Sequence, residues 1–151
     1  MRVLPYLIAL VVSLWLGGLV SLFVFVATLF PFDRPTALVA APRMFHVFER
    51  YQLILAGISI ALTIAWRMCA CSKSKRWLTA FLIAGAVLAT VQAGVISPKM
   101  NEVRFADPHL FQQLHRVANV IFITTTLCAT GAMLMLIAAI TRPQQHTNPP
   151  Q

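Results

Sequence analysis

The stretch VLPYLIALVVSLWLGGLVSLFVFVATLF, residues 3–30, decides the fold because it contains no charged side chain. A helix needs about 20 apolar residues to cross a bilayer, and a backbone in lipid must satisfy its own hydrogen bonds. The stretch is therefore predicted to be a membrane-spanning helix. It is also much longer than the roughly 7–15 apolar residues of a signal peptide, so we expect a retained span rather than a cleaved leader.

Three further apolar segments follow at about residues 44–66, 77–97 and 108–140. The chain has 151 residues, of which 59% are hydrophobic and 11% charged, and a soluble domain of this size has no interior large enough for so much apolar surface. The short connections predict antiparallel neighbours. The expected fold class is all-α, an integral membrane four-helix antiparallel bundle over residues 1–142, followed by a disordered tail at 143–151.

Prolines mark the expected helix ends, because a proline has no N–H and disrupts a helix interior. Asp107 has the side chain of an N-cap, so the fourth span is expected to begin with Pro108 at its first helical position. Pro98 is expected to end the third helix. The first loop is expected to contain Pro31, Pro35 and Pro42.

The loop RMCACSKSKR, residues 67–76, is the most concentrated basic segment and is expected to face the cytoplasm. Both termini would then lie on the cytoplasmic side of a plasma membrane or bacterial inner membrane. The net charge of +8 is explained by this topology and by attraction to lipid headgroups, so no nucleic-acid partner is expected. Cys69 and Cys71 could form a soft-metal or redox site. Because a lone C-x-C is unspecific and the cytosol keeps such thiols reduced, we expect them to be structurally inert.

The stretch LFQQLHRVAN, residues 110–119, opens the fourth span with polar side chains. At the helical repeat, His115 is predicted to face the bundle interior or its outer vestibule, with Asn119 one turn deeper. The opposite face is expected to meet water or headgroups through His109, Gln112, Gln113 and Arg116.

Other polar side chains are expected at the same depth, and ionisable groups at membrane depth are candidates for function. The predicted result is a polar vestibule on the outer side, formed by His46, Glu49, Gln92, His115 and Asn119. A structural interpretation stays open, in which the amides join helices and Glu49 belongs to a solvated face. Close helix packing is expected at the small residues Gly17, Ser21, Gly85 and Ala89.

Metal chemistry is a weaker interpretation of the same residues. His46 and His115 could serve as ligands of haem or copper, but the chain has no HxxxH, HExxH or methionine-rich motif. No cofactor is therefore predicted, with haem or copper as the alternative. The sequence contains no phosphate-binding loop, nucleophile elbow or paired carboxylates, so no enzyme activity is predicted.

The order of several motifs resembles the transmembrane protein 205-like family, four-span proteins with a domain of unknown function. The motifs are LWLGG in the first helix, RMFHVFERY in the second, ISPK at the exit of the third and LHRVAN in the fourth. The resemblance covers about residues 10–135 and implies a membrane-embedded bundle without a settled activity. Val117 stands where the family usually has a small residue or serine. The copper-resistance-D type of membrane protein is a second, weaker resemblance.

Three hypotheses for function follow. The first is a non-enzymatic bundle whose vestibule binds a small solute, an ion or a lipid headgroup. The second is a haem- or copper-binding protein. The third is an accessory subunit that docks to a membrane-protein partner or to a second copy of the chain through one of its small-residue faces.

Overall fold

The computed structural model describes residues 3–69 and 74–141, and within these ranges the chain is helical with no strand. The predicted tail at 143–151 and Cys71 lie outside the described residues. Among the described residues, four helices are long and apolar enough to cross a membrane. The elements are α1 (Val3–Phe32), α2 (Arg34–Cys69), α3 (Ser74–Val91), a π-helical segment (Gln92–Ile96), α4 (Ser97–Val103) and α5 (Pro108–Thr141).

Helix α2 begins at Arg34, ten residues before the start expected from the apolar pattern. The predicted loop of prolines is wrong for a local reason. The Asp33 carboxylate accepts a hydrogen bond from the Thr36 N–H at 3.2 Å, and Pro35 lies in the first turn, where its missing N–H costs nothing. Pro42 lies inside the helix. Only Asp33 separates α1 from α2.

Pro98 does not end the third span, contrary to the expectation. The helix changes from α to π geometry at Gln92 and returns to α geometry at Ser97, and it then continues to Val103. Pro98 occupies the first turn of α4. This position is compatible with proline because a change of helical register leaves its missing N–H without an obligatory partner.

Helix α5 begins as the sequence predicts. The Asp107 carboxylate accepts hydrogen bonds from the backbone N–H groups of His109 and Leu110, both at 3.0 Å. Pro108 is the first residue of the helix. The N-cap prediction is confirmed.

The helices pack in a ring in which α1 and α3 each contact both α2 and α5. Trp15 is the largest fully buried side chain. Its ring edge lies 3.2 Å from the place where a Cβ on Gly85 would stand, so the absence of a side chain at Gly85 admits the indole. The core around it includes Ile8, Val12, Leu55, Leu82, Ala89, Ala132 and Leu136.

Two adjacent glycines in α1 have opposite surroundings. A Cβ on Gly18 would stand 2.9 Å from Phe48 and 3.1 Å from Tyr51, whereas a Cβ on Gly17 would meet nothing within 4 Å. Ser21 is exposed as well. The packing prediction for Gly17 and Ser21 is therefore corrected, and the close contact with α2 belongs to Gly18.

Much of the outer surface is apolar. Phe23 is 63% exposed, Ile123 58% and Leu127 64%. Exposed apolar area on this scale is unusual for a soluble monomer and is typical of helices that face lipid or another protein.

Candidate functional site

The most buried acidic side chain of the described residues is Glu49, one and a half turns into the apolar part of α2. It is only 4% exposed. A carboxylate buried to this extent is costly unless other groups hold it. Its surroundings therefore decide what the site can do.

The partner of Glu49 comes from the neighbouring helix. The Ser97 hydroxyl donates a hydrogen bond to Oε1 of Glu49. The Gln92 amide in turn donates from Nε2 to Oγ of Ser97 over 3.4 Å, and the Gln92 side chain also interacts with the carboxylate. A chain of polar contacts thus joins α2 to the third span.

The π-helical segment explains why both partners reach the same carboxylate. Gln92 begins the segment and Ser97 directly follows it, and the Ser97 N–H donates to the Gln92 carbonyl across the π turn. A wider turn brings residues five apart onto neighbouring positions, as three or four apart are in an α-helix. Insertions of this kind occur frequently at functional sites.

One oxygen of the cluster is left without a partner. Oε1 of Gln92 is buried and accepts no hydrogen bond from any described residue. A buried acceptor without a donor costs about 1–3 kcal/mol. The Glu49 carboxylate, the Ser97 hydroxyl and the Gln92 amide thus form a buried polar cluster, in which the carboxylate carries the charge and Gln92 Oε1 is a free acceptor for a hydrogen-bond donor or a cation.

Two more side chains of α2 border this cluster. His46 lies one turn before Glu49 on α2, and its side chain is exposed. Gln52 lies one turn after Glu49 and is 5% exposed. Along one face of α2, Glu49 thus lies between an exposed histidine and a buried amide.

His115 and Asn119 do not join the cluster. Both side chains are exposed, which overturns the expectation that His115 faces the interior. The buried face of α5 follows Ala118, Ile121 and Thr125, and His115 falls at the edge of that face. There its ring stacks on Phe111, with centroids 6.1 Å apart.

Asn119 instead lines a groove between α1 and α5, on the outside of the ring of helices. The groove has a volume of about 430 Å³. Its walls are otherwise mainly apolar and consist of Leu19, Val20, Phe23, Phe122, Ile123, Thr126 and Leu127. The predicted vestibule is thus two separate features, an oxygen cluster at Glu49 and an apolar groove at Asn119.

The residues named for metal binding serve different neighbours. His46 lies one turn from Glu49 on α2, whereas His115 stacks on Phe111 of α5. Within residues 3–69 and 74–141, no three side chains of His, Cys, Asp or Glu come together as a metal site would need.

Sequence reasoning overlooked Ser97 and the π-helical segment. Ser97 stands directly before a proline, which made it look like the end of a helix. The spacing of Gln92 and Ser97, five residues apart, would have been a usable signal only if a π turn had been considered.

A family model described as a domain of unknown function (DUF4149) matches residues 10–109. The matched range contains Glu49, Gln92 and Ser97, and it ends before His115 and Asn119. No curated protein matches, and no solved structure matches.

Proposed function

The chain belongs to the DUF4149 family, a family without an assigned function, and from that premise we propose an integral membrane protein that binds a small monovalent cation at Glu49. In this proposal the four long helices form an antiparallel bundle with both termini in the cytoplasm. The protein acts without catalysis. We also propose that the chain is related to the transmembrane protein 205-like family.

The observation that carries the proposal is the buried oxygen cluster. Glu49 supplies one negative charge at 4% exposure, and the unpartnered Oε1 of Gln92 supplies an acceptor that needs a donor or a cation. Oxygen ligands of this kind suit hard cations. A cation bound at Glu49 would neutralise the carboxylate, and the free Gln92 carbonyl is a further acceptor in the same polar cluster.

The charge of the cluster favours a monovalent ion. No second acidic side chain acts on the Glu49 carboxylate among the described residues. A divalent ion in a poorly hydrated site would keep an uncompensated positive charge, which is costly there. A single charge matches the single carboxylate.

The antiparallel arrangement is supported by two pairs of contacts between α3 and α5. Gly131 faces Phe81, and Gly85 faces Cys128, so the chain order is reversed between the two helices. Cytoplasmic termini are supported by the basic segment at residues 67–76.

The binding proposal is tested by thermal unfolding of the purified protein in mild detergent. Tm is measured in sodium, potassium or lithium chloride and in N-methylglucamine chloride of equal ionic strength. We expect at least one small cation to raise Tm, since a ligand that binds only the folded state stabilises it.

The matched variants are Glu49→Gln and Glu102→Gln. Glutamine at position 49 keeps an oxygen that can accept from Ser97, so the fold is expected to survive while the cation effect disappears. Glu102 is exposed in α4, and its variant should keep the full effect. Equal Tm in all four salts, or an effect that persists in Glu49→Gln, would refute cation binding at this site.

A further inference from the structure

The groove between α1 and α5 goes beyond the proposed function, because it lies outside the ring of helices and shares no lining residue with the Glu49 cluster. Many of the apolar side chains that line it are exposed. Val20 is 50% exposed and Phe23 63% exposed on α1, opposite Ile123 and Leu127 on α5. A surface of this kind is suited to a flexible apolar chain.

One end of the groove is polar. Asn119 is exposed and forms no hydrogen bond with any described residue. The second polar lining residue, Thr126, is already satisfied, because its hydroxyl donates to the Phe122 carbonyl at 2.9 Å. Among the described residues that line the groove, Asn119 is therefore the side chain with free hydrogen-bond donors.

A positively charged side chain, that of Arg116, lies one turn from Asn119 towards the start of α5. Arg116 precedes Asn119 by three residues, which places it on the same side of α5, about 4.5 Å further along the helix axis. Its side chain is exposed and makes no ion pair among the described residues. Gln112, a further turn away, is exposed on the same side.

The order of these features along α5 matches the order of groups in a phospholipid. From Leu127 to Asn119 the helix offers about 12 Å of apolar wall, then an amide, then a guanidinium. Arginine is well suited to phosphate, which it binds with two hydrogen bonds.

The wider charge distribution favours an anionic lipid. Basic side chains outnumber acidic ones by six to four in the half of the bundle that contains Arg116. The basic residues are Arg34, Arg43, Arg50, Lys99, Arg104 and Arg116, and the acidic residues are Asp33, Glu49, Glu102 and Asp107.

We propose that the α1–α5 groove is a binding site for an anionic phospholipid, with an acyl chain against Phe23 and Ile123, the glycerol ester region at the Asn119 amide and the phosphate at Arg116. The lipid would lie in the leaflet that surrounds the N-terminal end of α5. It would be held more firmly than the lipids around it.

The test is native mass spectrometry of the full chain in detergent with equal amounts of phosphatidylglycerol and phosphatidylcholine of the same acyl chains. We expect phosphatidylglycerol adducts to dominate for the unmodified protein. Arg116→Ala should reduce that preference about fivefold, the order of effect of one basic side chain on an anionic lipid. Lys99→Ala is the matched control, because Lys99 is an exposed cation of α4 away from the groove, and it should keep the preference.

A second variant tests the apolar part independently. Ile123→Trp should fill the groove and reduce adducts of both lipids, while circular dichroism confirms an unchanged helix content, since the side chain is exposed. Equal binding of the two lipids to the unmodified protein would overturn the proposal. The proposal would also be overturned if Arg116→Ala and Lys99→Ala lost the preference for phosphatidylglycerol equally. A further contrary result would be a dimer without lipid adducts, if Ile123→Trp abolished that dimer.

Discussion

Replacing Gly17 and Gly18 separately by alanine tests the packing of α1 against α2. The two residues are adjacent, and the gain in helix propensity, about 0.8–1.0 kcal/mol, is the same for both variants. It cancels when the variants are compared. What remains is the space that each new methyl group would enter.

The structure gives that space directly. The methyl group at position 17 meets nothing within 4 Å, whereas at position 18 it would stand 2.9 Å from Phe48 and 3.1 Å from Tyr51. Both rings would have to move, and Tyr51 also donates a hydrogen bond to the Leu14 carbonyl at 3.3 Å. Crowding of a packed contact costs about 1–3 kcal/mol, so Gly18→Ala is expected to be less stable than Gly17→Ala by this amount.

The assay is reversible unfolding in mixed micelles with increasing sodium dodecyl sulfate, followed by circular dichroism. The free energy of unfolding of each variant is compared with that of the unmodified protein. Gly17→Ala should be equal to it or more stable. A difference between the two variants below about 0.5 kcal/mol, the usual range for substitutions without a specific mechanism, would refute the packing described for Gly18.

Three further predictions concern single side chains. Ser59 is fully buried, and its hydroxyl has no partner among the described residues. Ser59→Ala should therefore be neutral or raise the free energy of unfolding by about 1 kcal/mol. A clear decrease in that free energy in the same micelle titration would show that the hydroxyl has a structural role. Asp107→Ala removes the cap whose oxygen binds the Leu110 N–H and should lower stability by about 1 kcal/mol, whereas Asp107→Asn should retain most of it. Hydrogen bonds from the Thr36 hydroxyl and N–H lower the pKa of Asp33, so the stabilisation is present above the unfolded pKa near 3.8 and is lost as pH falls through the folded value. Tm of the unmodified protein should therefore fall relative to Asp33→Asn only in this acidic range, and parallel pH profiles would contradict the cap.

The number and type of the long helices could be predicted from the sequence. An uncharged run such as residues 3–30 is long enough to cross a bilayer, and its backbone satisfies its own hydrogen bonds there only as a helix. The start of α2 could not. Its first ten residues are less apolar and contain two prolines, and only the Asp33 cap together with the position of Pro35 in the first turn makes a helix favourable there.

The candidate site was predicted in part. Glu49 and Gln92 were expected at similar depth, and they do lie together, but their connection through Ser97 depends on a π turn. His115 was misplaced because helical periodicity gives angles between residues and not the direction of the core. The buried face that runs through Ala118 and Ile121 sets that direction.

The central claim, a cation held by the Glu49 cluster, is tested most directly by infrared difference spectroscopy of the carboxyl groups. Spectra of the membrane-reconstituted protein are recorded while N-methylglucamine chloride is exchanged for the chloride of the small cation that raises Tm most. We expect a shift of a carboxylate band that is absent in Glu49→Gln, altered in Ser97→Ala and unchanged in Glu102→Gln. A spectrum in which no band that depends on Glu49 responds to any small cation would contradict the claim.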